Sequence, residues 1–347
     1  MSYDLLSMSL TELEEFVLGL GEAKYRAKQI FTALHRGVPV TEMSNLSRPL
    51  REKIAAETEW RLPKVKTRLV SQLDGTVKYL FELYDGECIE SVFMRYEHGN
   101  TLCISSQVGC RMGCKFCAST LAGRVRDLAP SEMLGQIIAA QLDTGERISN
   151  VVMMGIGEPL DNYLNTIKFL RLVSAPEGLN IGLRHISVST CGLVPKIDEL
   201  SREELPITLS ISLHAYDNET RSAIMPVNRS YPIEELLRVC KRYFEKTGRR
   251  ISFEYTLIRD KNDDVAGAEK LAALLKRHVG RVCHVNLIPL NEVSETGLRT
   301  PTKENIRRFR ETLEKHGINA TVRRRLGSDI NASCGQLRRG QMKKDTE

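Results

Sequence analysis

Residues 102–117 read LCISSQVGCRMGCKFC. The first eight, Leu102 to Gly109, read as a strand, and the strand runs straight into Cys110, Cys114 and Cys117 at the spacing C-x3-C-x2-C. Three thiolates this close can hold three corners of a cubane [4Fe–4S] cluster, whose irons usually take four cysteines. The missing fourth ligand leaves one iron open to bind a small molecule and pass it an electron. The competing readings are zinc, a disulfide and chance. Structural zinc favours four ligands, as paired C-x2-C units or histidines at set spacing. Here no second pair follows, and the next cysteine is Cys191.

Downstream of the cysteines, Ala118 to Gly123 is small and polar, and a helix is expected from about Pro130 to Asp143. A strand feeding a cysteine loop and then a helix is the first unit of a radical-SAM barrel, and the chain resembles that superfamily here. The alternation continues. Strands are expected at 149–155, 184–190, 205–215, 250–258 and 284–290. Helices are expected at about 161–174, 194–201, 217–224, 232–247 and 264–278. With the strand at 102–107 this makes six βα units, which predicts a parallel sheet with helices outside. Six units suggest an incomplete (β/α)6 barrel, open on one side, with its site at the C-terminal strand ends.

Upstream, Asp74-Gly75 and Asp85-Gly86 mark hairpins between strands at roughly 65–72, 76–84, 87–95 and 101–107. Before them lie short helices. Thr11 and Glu14 are spaced as a capping box, Leu13, Phe16, Val17 and Leu20 form an apolar stripe, and Gly21 ends it. A second helix runs from about Ala23 to His35, and a third starts near Ser47. The expected organisation is a helical accessory domain over 1–62, with RNA binding as one possible role, and a β-hairpin extension over 63–100. The radical-SAM core follows over 101–320, then a basic segment over 321–347.

Each core strand ends in groups useful to a ligand. The second ends in MGIGEP (154–159), where Gly157 permits close backbone approach and Glu158 can accept bonds from an amine. Later strands end in Ser189-Thr190, in Ser212-Leu213-His214 and in Pro289-Leu290-Asn291. Polar groups at successive strand ends above a cluster read as one site, and S-adenosylmethionine suits it. Its amino and carboxyl groups would chelate the open iron. Glu158 would hold the amine, and Ser189, Ser212, His214 and Asn291 the rest.

The chain has 347 residues, 41% hydrophobic and 27% charged, with no apolar run long enough to span a membrane. The acidic start MSYDLLSMSLTELEEF lacks the layout of a signal peptide. A cytoplasmic protein with reduced thiols is expected, which favours metal binding or catalysis over a disulfide framework for its nine cysteines. Net charge is +6, and residues 321–347 hold seven Arg or Lys against three acids. Cys334, in NASCGQL, has a small, polar setting unlike a core thiol. Cys103 alone reads as a small buried hydrophobe, and Cys88, Cys191, Cys240 and Cys283 as core residues.

Six motifs in order carry a closer resemblance: ECIESV (87–92), LCISSQVGCRMGCKFC (102–117), GIGEPL (155–160), SLHA (212–215), MPVNRSYPI (225–233) and TVRRRLGSDINASCGQL (321–337). Together they resemble the bacterial dual-specificity RNA adenine-C2 methyltransferases of the RlmN type, over nearly the whole chain. The resemblance implies two molecules of S-adenosylmethionine per methylation. Cys334 takes a methyl group from the first. The second is cleaved at the cluster, and its 5′-deoxyadenosyl radical removes a hydrogen from that methyl. The methylene radical adds to C2, and Cys103 then attacks Cys334, leaving a disulfide and the methylated base. Glu90 matches a proton-accepting position of the family, although it could instead order the site. The implied partners are 23S rRNA, tRNA and a flavodoxin-type electron donor, with no membrane and a monomeric state.

Arg323, Arg324, Arg325, Arg338 and Arg339 flank Cys334 and are placed to meet RNA phosphates. A paired target base would first have to be flipped out. The related antibiotic-resistance type methylates adenine C8; it carries Ala where this chain has Pro159 and lacks the triple Arg. An RNA-binding iron–sulfur sensor without chemistry would leave Cys334 unexplained.

Overall fold

The computed structural model describes residues 2–280, 283–292, 296–332 and 337. Its first elements are helices α1 (Leu10–Gly19), α2 (Tyr25–His35) and α3 (Arg48–Glu57). The capping box at α1 is Ser9 with Glu12, two residues before the expected Thr11–Glu14 pair. Ser9 Oγ accepts from the Glu12 amide at 3.2 Å, and the Glu12 carboxylate accepts from the Ser9 amide at 2.7 Å. Both pairs satisfy the S/T-x-x-E rule. The earlier one also lets Glu12 pair with Lys168 at 2.8 Å, which ties α1 to the main body.

Ten strands form one sheet in the order β1-β2-β3-β4-β7-β8-β9-β10-β11-β12. β1 (Lys64–Val70), β2 (Val77–Glu82), β3 (Cys88–Met94) and β4 (Thr101–Cys103) pair antiparallel, the first two pairings through the two Asp-Gly turns and the third through residues 95–100. From β4 onward every pairing is parallel. The expected strand over 102–109 is two strands. β4 stops at Cys103, and β5 (Gln107–Gly109) leaves the sheet to pair with β6 (Arg124–Asp127). The chain bends between them because the amides of Ser106 and Gln107 both donate to the Ile156 carbonyl. That carbonyl lies past the end of β7.

The remaining units follow: α4 (Pro130–Thr144), β7 (Asn150–Met153), α5 (Tyr163–Val173), β8 (Ile186–Thr190), α6 (Val194–Leu200), β9 (Thr208–Ser212), α7 (Asn218–Ile224), α8 (Ile233–Thr247), β10 (Ile251–Leu257), α9 (Val265–His278) and β11 (His284–Pro289). A further unit was not expected from the sequence: α10 (Lys303–Lys315) and an edge strand β12 (Asn319–Val322). α10 is charged nearly throughout and buries only Phe309 and Leu313, so its helical stripe is thin. No helix among the described residues is long and apolar enough to cross a membrane.

Side chains alternate across each strand, and the alternation sorts the sheet into two faces. Val151, Val188, Leu209, Ile211, Phe253, Tyr255, Val285 and Leu287 join the helices in one apolar core. The intervening residues turn to the concave side and are mostly polar. There Asn286 Nδ2 donates to Glu254 Oε2 at 2.7 Å, and the Ser187 and Ser210 hydroxyls bond at 2.9 Å.

Beyond β12 the chain crosses to the far edge of the sheet. The Gly327 amide donates to Asp74 Oδ2 (2.8 Å), the Ser71 hydroxyl and Gln72 amide donate to Asp329 (2.7 and 2.8 Å), and Lys78 Nζ donates to the Asn331 carbonyl (2.9 Å). Residues 327–331 therefore bridge the open side between β12 and the β1–β2 hairpin.

Candidate active site

The cysteine loop follows β5 and is held by its own backbone. The Cys110 amide donates to the Gly123 carbonyl (3.0 Å), Lys115 to Ile224 (2.9 Å) and Cys117 to Cys114 (3.1 Å). Cys110 and Cys114 are buried and Cys117 is half-buried. Burial pushes the Cys110 thiol up to about 12 and Cys114 well up too, and each of the two is raised further by its neighbouring cysteines. Three soft sulfur donors within electrostatic reach of one another fit an iron–sulfur cluster. Among the described residues no three candidate ligands converge on a single ion. A cubane does not require that, since its three thiolates bind different irons.

The loop touches the strand ends directly. Phe116, between Cys114 and Cys117, packs edge-on against His214, ring centroids 4.8 Å apart. His214 has φ +56°, and its Nδ1 accepts from the Thr256 amide at 2.9 Å. Burial, helped by the nearby Arg221, pulls the imidazole down to about 3, so it is neutral at physiological pH.

Glu158 is buried, with one carboxylate oxygen on the Leu160 amide (3.0 Å) and the other on the Cys191 amide (2.7 Å). Burial raises its pKa, and these amide bonds oppose the rise. The Thr190 and Cys191 side chains also hydrogen-bond to this carboxylate. The glycines of the loop serve close packing inside the chain. A Cβ on Gly155 would lie 2.6 Å from the Ile104 carbonyl oxygen. One on Gly157, at φ +111°, would lie 2.7 Å from the Gln107 amide and Ser106 Oγ. Gly157→Ala is therefore expected to cost about 2–4 kcal/mol, read as a lower urea midpoint; an unchanged midpoint would show that the loop relaxes freely.

Ser189, Ser212 and Leu213 stand at the ends of β8 and β9. A residue that the sequence reading missed ties the two strand ends together. Arg221 on α7 is fully buried. Its guanidinium donates to the carbonyls of Cys191 (2.7 Å), Ser212 (3.0 Å) and Leu213 (3.1 Å), and to Asn228 Oδ1 (3.1 Å). An Arg near a turn reads from sequence as a surface cation, so nothing flagged it.

Asn291 lies two residues past the end of β11 (His284–Pro289). It lines a cavity of about 180 Å³ with Cys103, Met154 and Arg323, Arg324 and Arg325. Cys103 is buried beside Val92 and Met94, and Leu326 and Ala332 of the crossing segment pack onto that group. On the next strands, Glu90 and Lys78 are buried at 1% and 0% exposure and form an ion pair at 3.1 Å. A lone Glu on a hairpin strand ordinarily faces solvent, and here Glu90 is buried instead. Lys78 was not anticipated. Cys334, Arg338 and Arg339 lie outside the described residues.

A family model for the radical SAM superfamily matches residues 104–272, and one for the ribosomal RNA large subunit methyltransferase N-terminal domain matches residues 3–59. A relative from Alkaliphilus oremlandii, named a probable dual-specificity RNA methyltransferase RlmN, is 54% identical over 97% of this chain and 97% of its own. The chain belongs to the RlmN family. A relative of the same name from Clostridium acetobutylicum is 52% identical, also over 97% of each chain. The crystal structure of a radical SAM methyltransferase from Sphaerobacter thermophilus is 44% identical, covers 96% of this chain and 98% of its own, and superposes with a TM-score of 0.91. Membership in the superfamily implies a [4Fe–4S] cluster and S-adenosylmethionine. In this RlmN-family chain the cysteine loop and the strand ends with Glu158 and His214 lie together, while Cys103 and Asn291 share the adjoining cavity.

Proposed function

We propose that this protein methylates C2 of adenosine in 23S rRNA and in tRNA, with Cys334 as methyl carrier and Cys103 as the residue that releases the product. Cys110, Cys114 and Cys117 hold the cluster. When bound, the cluster supplies the electron that cleaves S-adenosylmethionine. Gly157, Glu158, Ser189, Ser212, Leu213, His214 and Asn291 bind that molecule: the Glu158 carboxylate faces the amine, and neutral His214 offers a face free of charge repulsion. Two S-adenosylmethionines are consumed per methyl group, one giving its methyl to Cys334. The enzyme works in the cytoplasm as a monomer, with a flavodoxin-type donor.

The observation that carries the reading is the setting of Cys103. It lies beneath Leu326 and Ala332 in a cavity edged by Arg323, Arg324 and Arg325. Only two peptide steps, at most about 7 Å of chain, separate Ala332 from Cys334. Cationic side chains at that rim suit a phosphate backbone entering beside the base. The test is anaerobic reconstitution with iron and sulfide, followed by S-adenosylmethionine, reductant and rRNA. S-adenosylhomocysteine and 5′-deoxyadenosine are expected in equal amounts with methyladenosine. S-adenosylhomocysteine without 5′-deoxyadenosine would contradict a radical route.

A further inference from the structure

The β1–β2 hairpin has no role in the chemistry described so far, yet it makes every polar anchor of the crossing segment named above. Asp74 takes the Gly327 amide, Ser71 and Gln72 take Asp329, and Lys78 takes the Asn331 carbonyl. Asp74 is held down to about 2, because the bonds from Gly327, Thr76 and Ser71 outweigh the opposing effect of burial. Gly327 and Asn331, at φ +60° and +46°, turn the segment toward the hairpin.

Lys78 stands at the centre of this arrangement. Strand register puts Lys78, Val92 and Cys103 directly opposite one another on β2, β3 and β4. Glu90 is two residues from Val92, and alternation puts it on the same concave face. Its carboxylate lies 3.1 Å from Lys78 Nζ, with both groups out of contact with water. A buried lysine is retained only where partners offset its desolvation. Here the partners are Glu90 and the backbone of the segment that leads to Cys334.

We propose that the hairpin is the cradle of the methyl-carrier segment and that Lys78 is its positioning residue, with Glu90 acting through Lys78. Glu90 then serves before the bond to the base forms, by fixing where the methyl group of Cys334 is presented. It does not serve afterwards as acceptor of the C2 proton. The inference rests on the reading of Cys334 and Cys103 given above.

The two roles separate in a Cys103→Ala background, where turnover is expected to halt at the covalent protein–RNA adduct. A proton acceptor acts after that adduct has formed; a positioning pair acts before. We would compare the full-length, reconstituted Cys103→Ala protein with versions also carrying Lys78→Met, Glu90→Gln, both, or Lys78→Arg. The readout is adduct with an rRNA fragment on denaturing gels, normalised to iron content. Lys78→Met and Glu90→Gln are each expected to lower adduct at least tenfold. The doubly substituted version should be no worse than either, and Lys78→Arg should recover most of the yield. Parent-level iron content in the version lacking both charges is expected, and separates its loss of adduct from misfolding. Adduct at the parent level with Glu90→Gln or with Lys78→Met would overturn the inference. Absence of adduct in the Cys103→Ala parent would instead overturn the reading on which it rests.

Discussion

Cys334→Ala is expected to lower adenosine methylation by on the order of 10⁴-fold or more, as losing a covalent nucleophile does. In the proposed reaction the sulfur of Cys334 is the atom that the methyl group must reach first. It displaces the methyl from S-adenosylmethionine, so a carbon–sulfur bond forms on the enzyme as the sulfonium bond breaks and S-adenosylhomocysteine leaves. Without that sulfur there is no methyl group beside the base. The substitution leaves Cys110, Cys114 and Cys117 in place, and with them Glu158 and His214. Iron content and slow, uncoupled formation of 5′-deoxyadenosine should therefore persist, while S-adenosylhomocysteine disappears. Liquid chromatography of the small products, beside nucleoside analysis of the RNA, reads both. Methylation at the original rate would refute the covalent carrier and return the chain to an iron–sulfur protein whose tail cysteine is incidental.

Cys103→Ala is expected to change the outcome in another way: one turnover, then a trapped adduct. In the proposed sequence the base is joined to Cys334 through the new methylene carbon. The Cys103 sulfur attacks the Cys334 sulfur, a sulfur–sulfur bond forms, and the sulfur–carbon bond breaks. The electron pair passes to the base, which takes up a proton to complete its methyl group. The disulfide then needs a thiol reductant before the next cycle. Cys103 is buried among Val92, Met94, Leu326 and Ala332, where an Ala side chain removes only the sulfur. Denaturing gels should show adduct rising toward one RNA per active enzyme, with methyladenosine near background. Full turnover by this variant would remove Cys103 from the reaction.

Much of this arrangement is legible in the sequence because it rests on short-range regularities. The cysteine spacing needs no fold to be read. The βα alternation shows because each core strand carries apolar residues toward the helices, as Val188 and Ile211 do, with polar ones such as Ser189 and Ser212 between them. Other features depend on long-range pairing. The attraction between Lys78 and Glu90 exists only once β2 and β3 are in register. Arg221 is a buried cation because the ends of β8 and β9 aim three carbonyls at it. The unit α10–β12 escaped because Phe309 and Leu313 are a small signal in a charged helix and NATV is a short strand. The α1 cap lies two residues before its expected place because Ser9–Glu12 and Thr11–Glu14 satisfy the same rule. The glycines of GIGEPL read from sequence as room for a ligand; that Gly155 and Gly157 also make room for residues 104–107 of the chain shows only in the fold.

The proposed reaction commits to one carbon of one base. Pro159 and the Arg323–Arg325 run are the sequence features expected to separate a C2 enzyme from a C8 enzyme, and carrier chemistry serves either position. The most direct measurement is mass spectrometric analysis of nucleosides from rRNA treated with the reconstituted enzyme, run against synthetic 2-methyladenosine and 8-methyladenosine. A product that coelutes with 2-methyladenosine and gives its fragments is the expected result. A product that matches 8-methyladenosine would contradict the assignment.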